Sequence, residues 1–227
     1  MNIIQGDCHE VIKTLETNSI DIIYTDPPFA YGKKKHTECE WDLPLRWEEL
    51  FKEMWRTLKP NGVIILHCSM PFTYHLIQCE TPKYHYTWIK DRSTNFFHAK
   101  SQPLRQSEEI LVFYKKKPTY NPQMIGDTFY KTGRAGKSDY YGSRGETKVE
   151  TTDGHVGKYP NNILNYPRCI RGFSTRPDAL IDWILKTYSN EGDTVLDMTC
   201  YNALCGHRCI ELNRQYIGID LSPQPLI

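Results

Sequence analysis

Short apolar runs and amphipathic stretches alternate along the first part of the chain. A brief apolar run at residues 3–4 precedes residues 11–15, where apolar positions recur at helical spacing. Residues 21–25 form a second apolar run, which stops at two prolines that cannot continue the hydrogen-bond ladder of a strand. The pattern predicts a strand, a helix and a second strand within residues 1–25.

The same alternation continues after this first unit. Residues 45–58 place Leu50, Met54 and Leu58 on one helical face, and Lys-Pro-Asn-Gly closes the segment. The unbroken apolar run at residues 63–66 is typical of a strand that is buried on both faces. Further elements are predicted as a helix at residues 70–79 and strands at about residues 84–89 and 109–114.

A long aperiodic stretch separates these elements from the C-terminal part. Residues 115–172 show no hydrophobic period and mix Tyr, Gly, Lys and Arg with Pro and Asn, which predicts a loop-rich insert. Helices are then expected at residues 178–188 and about 203–212, and strands at residues 193–197 and 216–220. Because strands alternate with helices, we predict an α/β fold with a mainly parallel sheet, built from residues 1–114 and 173–227.

Composition and length fit an ordinary globular protein. The chain has 227 residues, of which 39% are hydrophobic and 24% charged. No apolar run approaches the roughly 18 residues of a membrane-spanning helix, and the start lacks the features of a signal peptide, so we expect a cytoplasmic protein. The eight cysteines include no Cys-x-x-Cys pair, and we predict reduced thiols without a metal site.

The distribution of charge indicates a partner, although the net charge of +1 does not. Residues 90–148 carry a net charge of +6, whereas residues 1–89 and residues 173–227 each carry −3. The basic part also contains many tyrosines, and aromatic rings between basic groups are typical of surfaces that stack bases and contact phosphates. We therefore expect the middle of the chain to meet a polyanion.

The segment Asp26-Pro27-Pro28-Phe29 is the candidate for chemistry, since ligands of open α/β sheets bind beyond the carboxyl ends of strands. Asp26 offers carboxylate acceptors, the prolines hold the Pro27 carbonyl in one direction, and Phe29 offers a flat face for a flipped base. Two acceptors can draw an exocyclic amine toward sp³ geometry, which makes its lone pair available. The alternative interpretation is a surface turn after a strand, because Asp and Pro are common turn residues.

The segment resembles the catalytic motif Asp/Asn/Ser-Pro-Pro-Tyr/Phe of the amino-methylating DNA methyltransferases. The order of motifs is similar to that of the permuted (β) class, in which the catalytic motif precedes the cofactor motif. The further stretches that match this family are residues 6–12, 41–42, 58–62, 88–90, 103–105, 108–113, 120–124, 177–197 and 216–220. The resemblance implies a Rossmann-like sheet that binds S-adenosylmethionine, double-stranded DNA as the substrate, and a homodimer.

The resemblance also implies roles for individual residues. The catalytic residues would be Asp26, Pro27, Pro28 and Phe29, and Asp rather than Ser at position 26 favours adenine N6 over cytosine N4 as the target. The implied cofactor-binding residues are Asp7, Cys8, Asp26, Asp197, Thr199, Tyr201, Ala203, Asp220 and Leu221. Of these, Asp7 would lie near the cofactor adenine and Asp220 would accept from the ribose hydroxyls. The implied DNA-binding residues are Lys33, Lys34, Lys35, Lys90, Arg105, Lys131, Arg134 and Lys137, and residues 115–172 would hold target recognition.

The chain departs from the family pattern in its cofactor loop. Tyr201 and Ala203 stand where the family has glycines, and residues 172–177 replace the family's His-Pro-Thr-Gln-Lys-Pro. We expect this loop to have changed its path, because a residue with Cβ is strained where φ is positive. The chain ends soon after Asp220, so we also expect the usual following helix to be absent.

Three functions are therefore open at the level of sequence. The first is a methyltransferase that binds its cofactor with a rebuilt loop. The second is a methyltransferase-like protein without activity that binds DNA or serves as a partner subunit. The third is an enzyme that uses the same site for another reaction on a base.

Overall fold

The computed structural model describes residues 1–32, 37, 39–130, 154–168 and 176–223. The chain divides into two compact units, of which the larger comprises residues 1–121 and 162–227 and the smaller comprises residues 122–161. The strands are β1 (Asn2–Gln5), β2 (Ile20–Thr25), β3 (Leu58–Cys68), β4 (Tyr84–Thr94), β5 (Arg105–Phe113), β6 (Ile125–Tyr130), β7 (His155–Lys158), β8 (Ile163–Asn165), β9 (Thr194–Asp197) and β10 (Gln215–Asp220). The helices are α1 (Cys8–Thr14), α2 (Trp47–Thr57), α3 (Phe72–Cys79), α4 (Asp178–Tyr188) and α5 (Leu204–Glu211).

The larger unit is built on one eight-stranded sheet with the order β1-β10-β9-β2-β3-β5-β4-β8. Strand β5 is antiparallel to both of its neighbours, β3 and β4, and the other neighbouring pairs are parallel. The mainly parallel α/β fold predicted from the alternation of strands and helices is thus confirmed. As a result, the carboxyl ends of β1, β2, β3, β4, β9 and β10 meet at one edge of the sheet.

Both faces of the sheet are covered, and the alternation within each strand assigns the side chains to two separate cores. Ile22 and Tyr24 of β2 pack in the core that also contains residues of α4 and α5. Ile23 of the same strand packs in the opposite core, with residues of α1, α2 and α3. Because both faces are buried, the central residues of β2 and of β3 appear in the sequence as apolar runs, at residues 22–24 and 63–66.

The smaller unit carries a two-stranded antiparallel sheet of β6 and β7. Gly154 precedes β7 with a φ of +81°, and a Cβ at this position would lie 2.4 Å from Cζ of Phe129. The turn into β7 therefore depends on glycine, both for its backbone conformation and for the close approach of the Phe129 ring. Tyr130 and His155 stack across the pair, with ring centroids 5.9 Å apart.

The insert at residues 115–172 was predicted as loop-rich, and the structure adds three short strands that were not predicted individually. They are β6, β7 and β8, of which β8 pairs with β4 in the main sheet. The reason is physical: β8 has three residues, and every residue of β6 before Tyr130 is exposed, so neither strand shows an apolar alternation. Within the described residues, none of the helices is both long and apolar enough to cross a bilayer.

Candidate active site

Four acidic residues from distant parts of the sequence lie at the carboxyl edge of the sheet. Asp7 follows β1, Asp26 follows β2, and Asp197 and Asp220 end β9 and β10. Their strands are neighbours in parallel register, so the sheet brings the ends together. A crevice beyond the carboxyl ends of parallel strands is where open α/β sheets bind ligands.

The catalytic segment leaves the sheet with its acid accessible and its aromatic ring packed. The side chain of Asp26 is 34% exposed, whereas Pro27 is buried. Phe29 stacks on Phe72 at the start of α3, with ring centroids 5.3 Å apart and an interplanar angle of 17°. Phe72 is itself buried, with Trp47 5.6 Å away, so it fixes the plane of the Phe29 ring.

Hydroxyl groups join the end of β2, where the candidate segment begins, to the loop that follows β9. Thr25 donates from Oγ1 to Oδ1 of Asp197 at 2.8 Å, and its hydroxyl lies 2.8 Å from that of Thr199. Thr199 in turn donates to the backbone carbonyl of Asp26 at 3.2 Å. The position of Asp26 is therefore linked directly to the loop that follows β9.

Asp197 is buried at the centre of this link. Its carboxylate also accepts from the backbone N–H of Thr199 at 3.2 Å and from the hydroxyl of Tyr216 at 3.3 Å. Burial raises the pKa of Asp197 to about 7, and these hydrogen bonds oppose the rise only in part. Asp197 was predicted as a cofactor-binding residue, and the structure places its carboxylate inside the protein, where it organises the loop.

The start of α1 lies at the same edge of the sheet, directly after β1. Asp7 caps this helix by accepting from the backbone N–H of His9 at 2.9 Å, and this hydrogen bond lowers the pKa of Asp7. The ring of His9 contacts Asp7 through Nδ1 at 2.8 Å and accepts through Nε2 from the backbone N–H of Arg46. Cys8 is buried, and burial raises the pKa of its thiol to about 11. Asp7 is therefore held in place, and Cys8 is buried in the first turn of α1, directly after it.

The loop after β9 keeps the backbone conformation that glycines would favour. Tyr201 has a φ of +46° and Ala203 a φ of +54°. Both residues therefore keep a strained backbone conformation, contrary to the expectation that the loop would avoid it. Backbone hydrogen bonds explain why: the N–H of Ala203 donates to the carbonyl of Cys200 at 2.7 Å, and that of Cys200 donates to Ile219 at 2.9 Å. These contacts hold a turn in which each left-handed residue costs about 1–2 kcal/mol.

Asp220 completes the loop from the neighbouring strand. Its Oδ2 accepts from the backbone N–H of Tyr201 at 2.8 Å, and its Oδ1 accepts from Ser222 at 2.9 Å. Each carboxylate oxygen has further lone pairs, so Asp220 can still accept from a ligand's hydroxyl groups. The side chain of Leu221 is 63% exposed, and its carbonyl accepts from Gln5.

Behind Asp26 lies a buried group of charged and polar residues. Arg176 donates from Nη2 to Oδ1 of Asp26 and contacts Oε1 of Glu108 at 2.7 Å. Glu108 also accepts from Lys90 at 2.8 Å, and its Oε1 lies 3.3 Å from Nδ1 of His67. Two carboxylates therefore face two cations in a region that excludes most water.

The titration of this group follows from its burial and its partners. Burial opposes ionisation of Glu108, but the charge of Arg176, the hydrogen bond from His67 and the charge of Lys90 hold its pKa well below the usual value. Burial, together with Arg176, lowers the pKa of His67. A neutral His67 with a proton on Nδ1 donates to Glu108 and accepts at Nε2 from the hydroxyl of Tyr24, 2.9 Å away.

The predicted DNA-binding residues fall into three groups. Lys90 is 8% exposed and paired with Glu108, so the structure contradicts a phosphate contact and places Lys90 in the buried charged group behind Asp26. Arg105 begins β5 at the carboxyl edge, where it donates to Oγ of Ser69 at 2.9 Å. The residues that lie outside the described part of the chain are Lys33, Lys34, Lys35, Lys131, Arg134 and Lys137.

The sequence did not predict the buried charged group behind Asp26: Glu108 and Arg176 were not predicted as site residues, and Lys90 was predicted only as a DNA contact. Glu108 lies opposite Trp88 in the antiparallel pair of β4 and β5, and Lys90 follows on the same face of β4. A charged residue at an inward position of two buried strands is a signal that could have been used, because such charges require a partner. No comparable signal exists for Arg176, which reaches Asp26 across 150 positions of sequence.

Comparisons with known proteins agree with this geometry. Residues 20–226 match the N6/N4 family described as DNA methylase. The chain is 30% identical over 244 residues to the DNA adenine methyltransferase YhdJ of Escherichia coli K12, covering 98% of this chain and 79% of YhdJ. It is 29% identical to the type II methyltransferase M.HpaI of Haemophilus parainfluenzae, covering 95% of this chain and 68% of M.HpaI.

Solved structures show the same fold. The structure of the M1.HpyAVI–SAM complex superposes with a TM-score of 0.62 at 21% identity, covering 97% of this chain and 92% of that chain. The cytosine-N4-specific PvuII DNA methyltransferase superposes with a TM-score of 0.69 at 15% identity, covering 97% and 82%. The family match over residues 20–226 and the 30% identity to YhdJ show that the chain belongs to the N6/N4 DNA methylase family, whose methyl donor is S-adenosylmethionine.

Proposed function

We propose that this protein transfers a methyl group from S-adenosylmethionine to the exocyclic amine of a flipped base in double-stranded DNA, with adenine N6 as the target. The observation that carries the proposal is the direct link between the two segments at the carboxyl edge. Thr25 and Thr199 connect Asp26 to the loop after β9, and Asp220 of the neighbouring strand accepts from the backbone of that loop. The acceptor of the target amine and the cofactor loop are therefore positioned as one unit.

The chemistry assigned to the catalytic segment is orientation of the amine. Asp26 and the Pro27 carbonyl accept hydrogen bonds from the exocyclic N–H groups, which directs the nitrogen lone pair toward the cofactor crevice. Phe29 stacks on the flipped base, and Phe72 holds the Phe29 ring from behind. Asp26 is also placed to receive the proton that the amine loses on methylation.

The residues of the crevice fit the cofactor by their donor and acceptor chemistry. Asp220 has acceptor capacity for ribose hydroxyls, and Asp7 is held beside the start of α1, where we expect the adenine. Tyr201 and Ala203 line the turn expected to hold the methionyl part. When bound, the cofactor supplies an electrophilic methyl group to this edge of the sheet.

The DNA side of the proposal rests on charge and exposed aromatic rings. The loop after β4 lies at the same carboxyl edge, because β3 and β4 are both antiparallel to β5. This loop exposes Phe96 (62%) and Phe97 (102%), with Lys100 nearby in sequence. Exposed aromatic rings beside cations suit contact with bases and phosphates. Target recognition by the insert, a homodimer and a cytoplasmic location remain parts of the proposal that rest on the sequence.

A second candidate is a protein of the same fold that binds DNA without methylating it. The observation that favours it is the pair of left-handed residues with side chains, Tyr201 and Ala203, in the cofactor turn. A Tyr side chain at this place competes for space with the methionyl part of the cofactor. Cofactor affinity therefore separates the two candidates.

The experiment is calorimetric titration of the protein with S-adenosylmethionine, followed by methylation of genomic DNA with isotope-labelled cofactor. Hydrolysis of the DNA and mass spectrometry of the nucleosides identify the product. We expect cofactor binding and labelled N6-methyladenine. Labelled N4-methylcytosine would correct the target base, and the lack of both binding and label at millimolar cofactor would support the DNA-binding candidate.

A further inference from the structure

We propose that Arg176 is a positioning residue for methyl transfer, which holds the Asp26 carboxylate in its working orientation while Glu108 holds Arg176. The proposal rests on the proposed function, since it concerns the same site. Arg176 contacts both carboxylates through Nη2, and its side chain is only 11% exposed. One guanidinium group thus binds two acids, the partly exposed Asp26 and the buried Glu108.

The guanidinium group is fixed on more than one side. Its Cζ lies 5.4 Å from the centroid of the buried Trp88 ring, in cation–π contact. Lys90 lies over the same ring at 4.9 Å and binds the second oxygen of Glu108. Glu108 is 5% exposed, so removal of Arg176 would leave two carboxylates facing the single charge of Lys90. Packing and charge therefore both restrict Arg176 to this position.

The contact determines how Asp26 is presented. Arg176 occupies Oδ1, and Asp26 makes no other side-chain hydrogen bond within the described residues. Oδ2 is therefore the oxygen offered to the target amine. The backbone of Asp26 is anchored separately, by Thr199. With backbone and Oδ1 both held, the carboxylate has little rotational freedom, which is the condition for a productive approach of the amine.

An arginine can hold Asp26 and Glu108 at the same time, and a lysine can do so only in part. A planar guanidinium can bridge two carboxylates and stack on an aromatic ring, whereas an ammonium group acts as a point charge. The replacement of Arg176 by Lys should therefore preserve the charge and lose part of the geometry. The replacement by Gln should lose both.

The test compares Arg176→Gln, Arg176→Lys and Glu108→Gln with the parent protein in single-turnover methylation of DNA. Equilibrium binding of DNA and of S-adenosylmethionine is measured on the same samples. We expect Arg176→Gln to lower the rate about 100-fold, because misplacement by about 1 Å costs that much. We expect Arg176→Lys to stay within about tenfold of the parent, and both affinities to stay within about threefold. The methylation rate of Glu108→Gln should lie between the rates of the two Arg176 variants. If Arg176→Gln does not fold, the rate of Glu108→Gln tests the proposal in its place.

The matched control is Arg208→Gln, which breaks the pair of Arg208 with Asp182 at 2.6 Å on the outer helices α4 and α5. This variant should methylate at the parental rate. An active parent with an Arg176→Gln variant of equal rate would overturn this proposal alone. Equal losses for Lys and Gln, or affinities that fall in parallel with the rate, would show a merely structural role and also overturn it. An inactive parent would overturn the proposed function, and this inference with it.

Discussion

At the residue scale, the site depends on a few side chains whose roles differ by burial. Asp26 lies at the carboxyl edge with a third of its side chain exposed, whereas Asp197 is enclosed and accepts from Thr25, Thr199 and Tyr216. Both are aspartates at the ends of neighbouring strands. We therefore propose contact with the substrate for the accessible Asp26, and a role in holding the loop for the enclosed Asp197.

Asp26→Ala should abolish methyl transfer and leave DNA affinity within a few-fold of the parent. The physical reason is that phosphate contacts dominate affinity, whereas the position of the amine dominates the rate. Methylation of labelled DNA and fluorescence anisotropy measure the two quantities. Asp178→Ala, at an exposed position in the first turn of α4, is the control. Unchanged turnover in Asp26→Ala would remove Asp26 from the mechanism.

Asp197→Asn should alter the dependence of stability on pH. Because the folded-state pKa of Asp197 is about 7 and its ordinary value is 3.8, its ionisation destabilises the folded protein as the pH rises through this window. The parent should therefore lose stability relative to the variant between about pH 4 and pH 7, by at most about 1.4 kcal/mol per pH unit. Urea unfolding of both proteins across this range measures the difference. Parallel stability curves would contradict the raised pKa.

At the element scale, the loop between β9 and α5 shows that hydrogen bonds can impose a conformation that the residues themselves disfavour. Tyr201 and Ala203 are left-handed because the backbone contacts of Cys200, Ala203 and Asp220 close the turn. Asn213 has a similar φ of +60° in the turn between α5 and β10. Asn tolerates that conformation better than Tyr or Ala does.

The double change Tyr201→Gly and Ala203→Gly should strengthen the binding of S-adenosylmethionine. Glycine removes the strain at both positions, and loss of the Tyr side chain widens the turn. Isothermal titration calorimetry measures the affinity. Asn213→Gly is the matched control, since it relaxes a left-handed residue outside the crevice and should leave cofactor affinity unchanged. Affinity that is absent in both parent and double variant would favour the DNA-binding candidate.

At the scale of the whole molecule, the net charge of +1 hides a basic middle part between two acidic parts of the chain. The net charge of +6 over residues 90–148 lies between two acidic parts. Some of these basic residues are used internally, as Lys90 is, so the total overstates what is available to DNA. The remaining basic residues are the basis for a salt-dependent interaction.

Neutralisation of Lys131, Arg134 and Lys137 to Gln should weaken DNA binding and flatten its salt dependence. Each lost phosphate contact lowers the slope of log K against log salt concentration by about 0.9. Affinity measured over a series of salt concentrations gives the slope. Lys13, Lys52 and Lys186, changed together to Gln, alter the net charge equally at exposed positions of the larger unit. If both triple variants show the parental slope, the insert does not contact the DNA phosphates.

The pattern of hydrophobic positions was sufficient to predict the fold class and the order of the main strands and helices outside residues 115–172, and the motif pointed to the candidate segment at residues 26–29. Strands buried on both faces must be apolar, and helices on a core must be amphipathic, so the pattern records these elements locally. The helix predicted at residues 178–188 has those bounds in the structure. The motif at residues 26–29 could be found because its four residues are contiguous.

The residues that surround Asp26 could be identified only from the folded protein. Asp26, His67, Glu108 and Arg176 lie far apart in the chain and meet because β2, β3, β5 and the segment that precedes α4 converge at one edge. The pairing of β8 with β4 and the left-handed turn at Tyr201 likewise depend on backbone hydrogen bonds to distant partners. Such contacts cannot be read from the hydrophobic pattern, because nearly every residue has the same backbone donor and acceptor whatever its side chain.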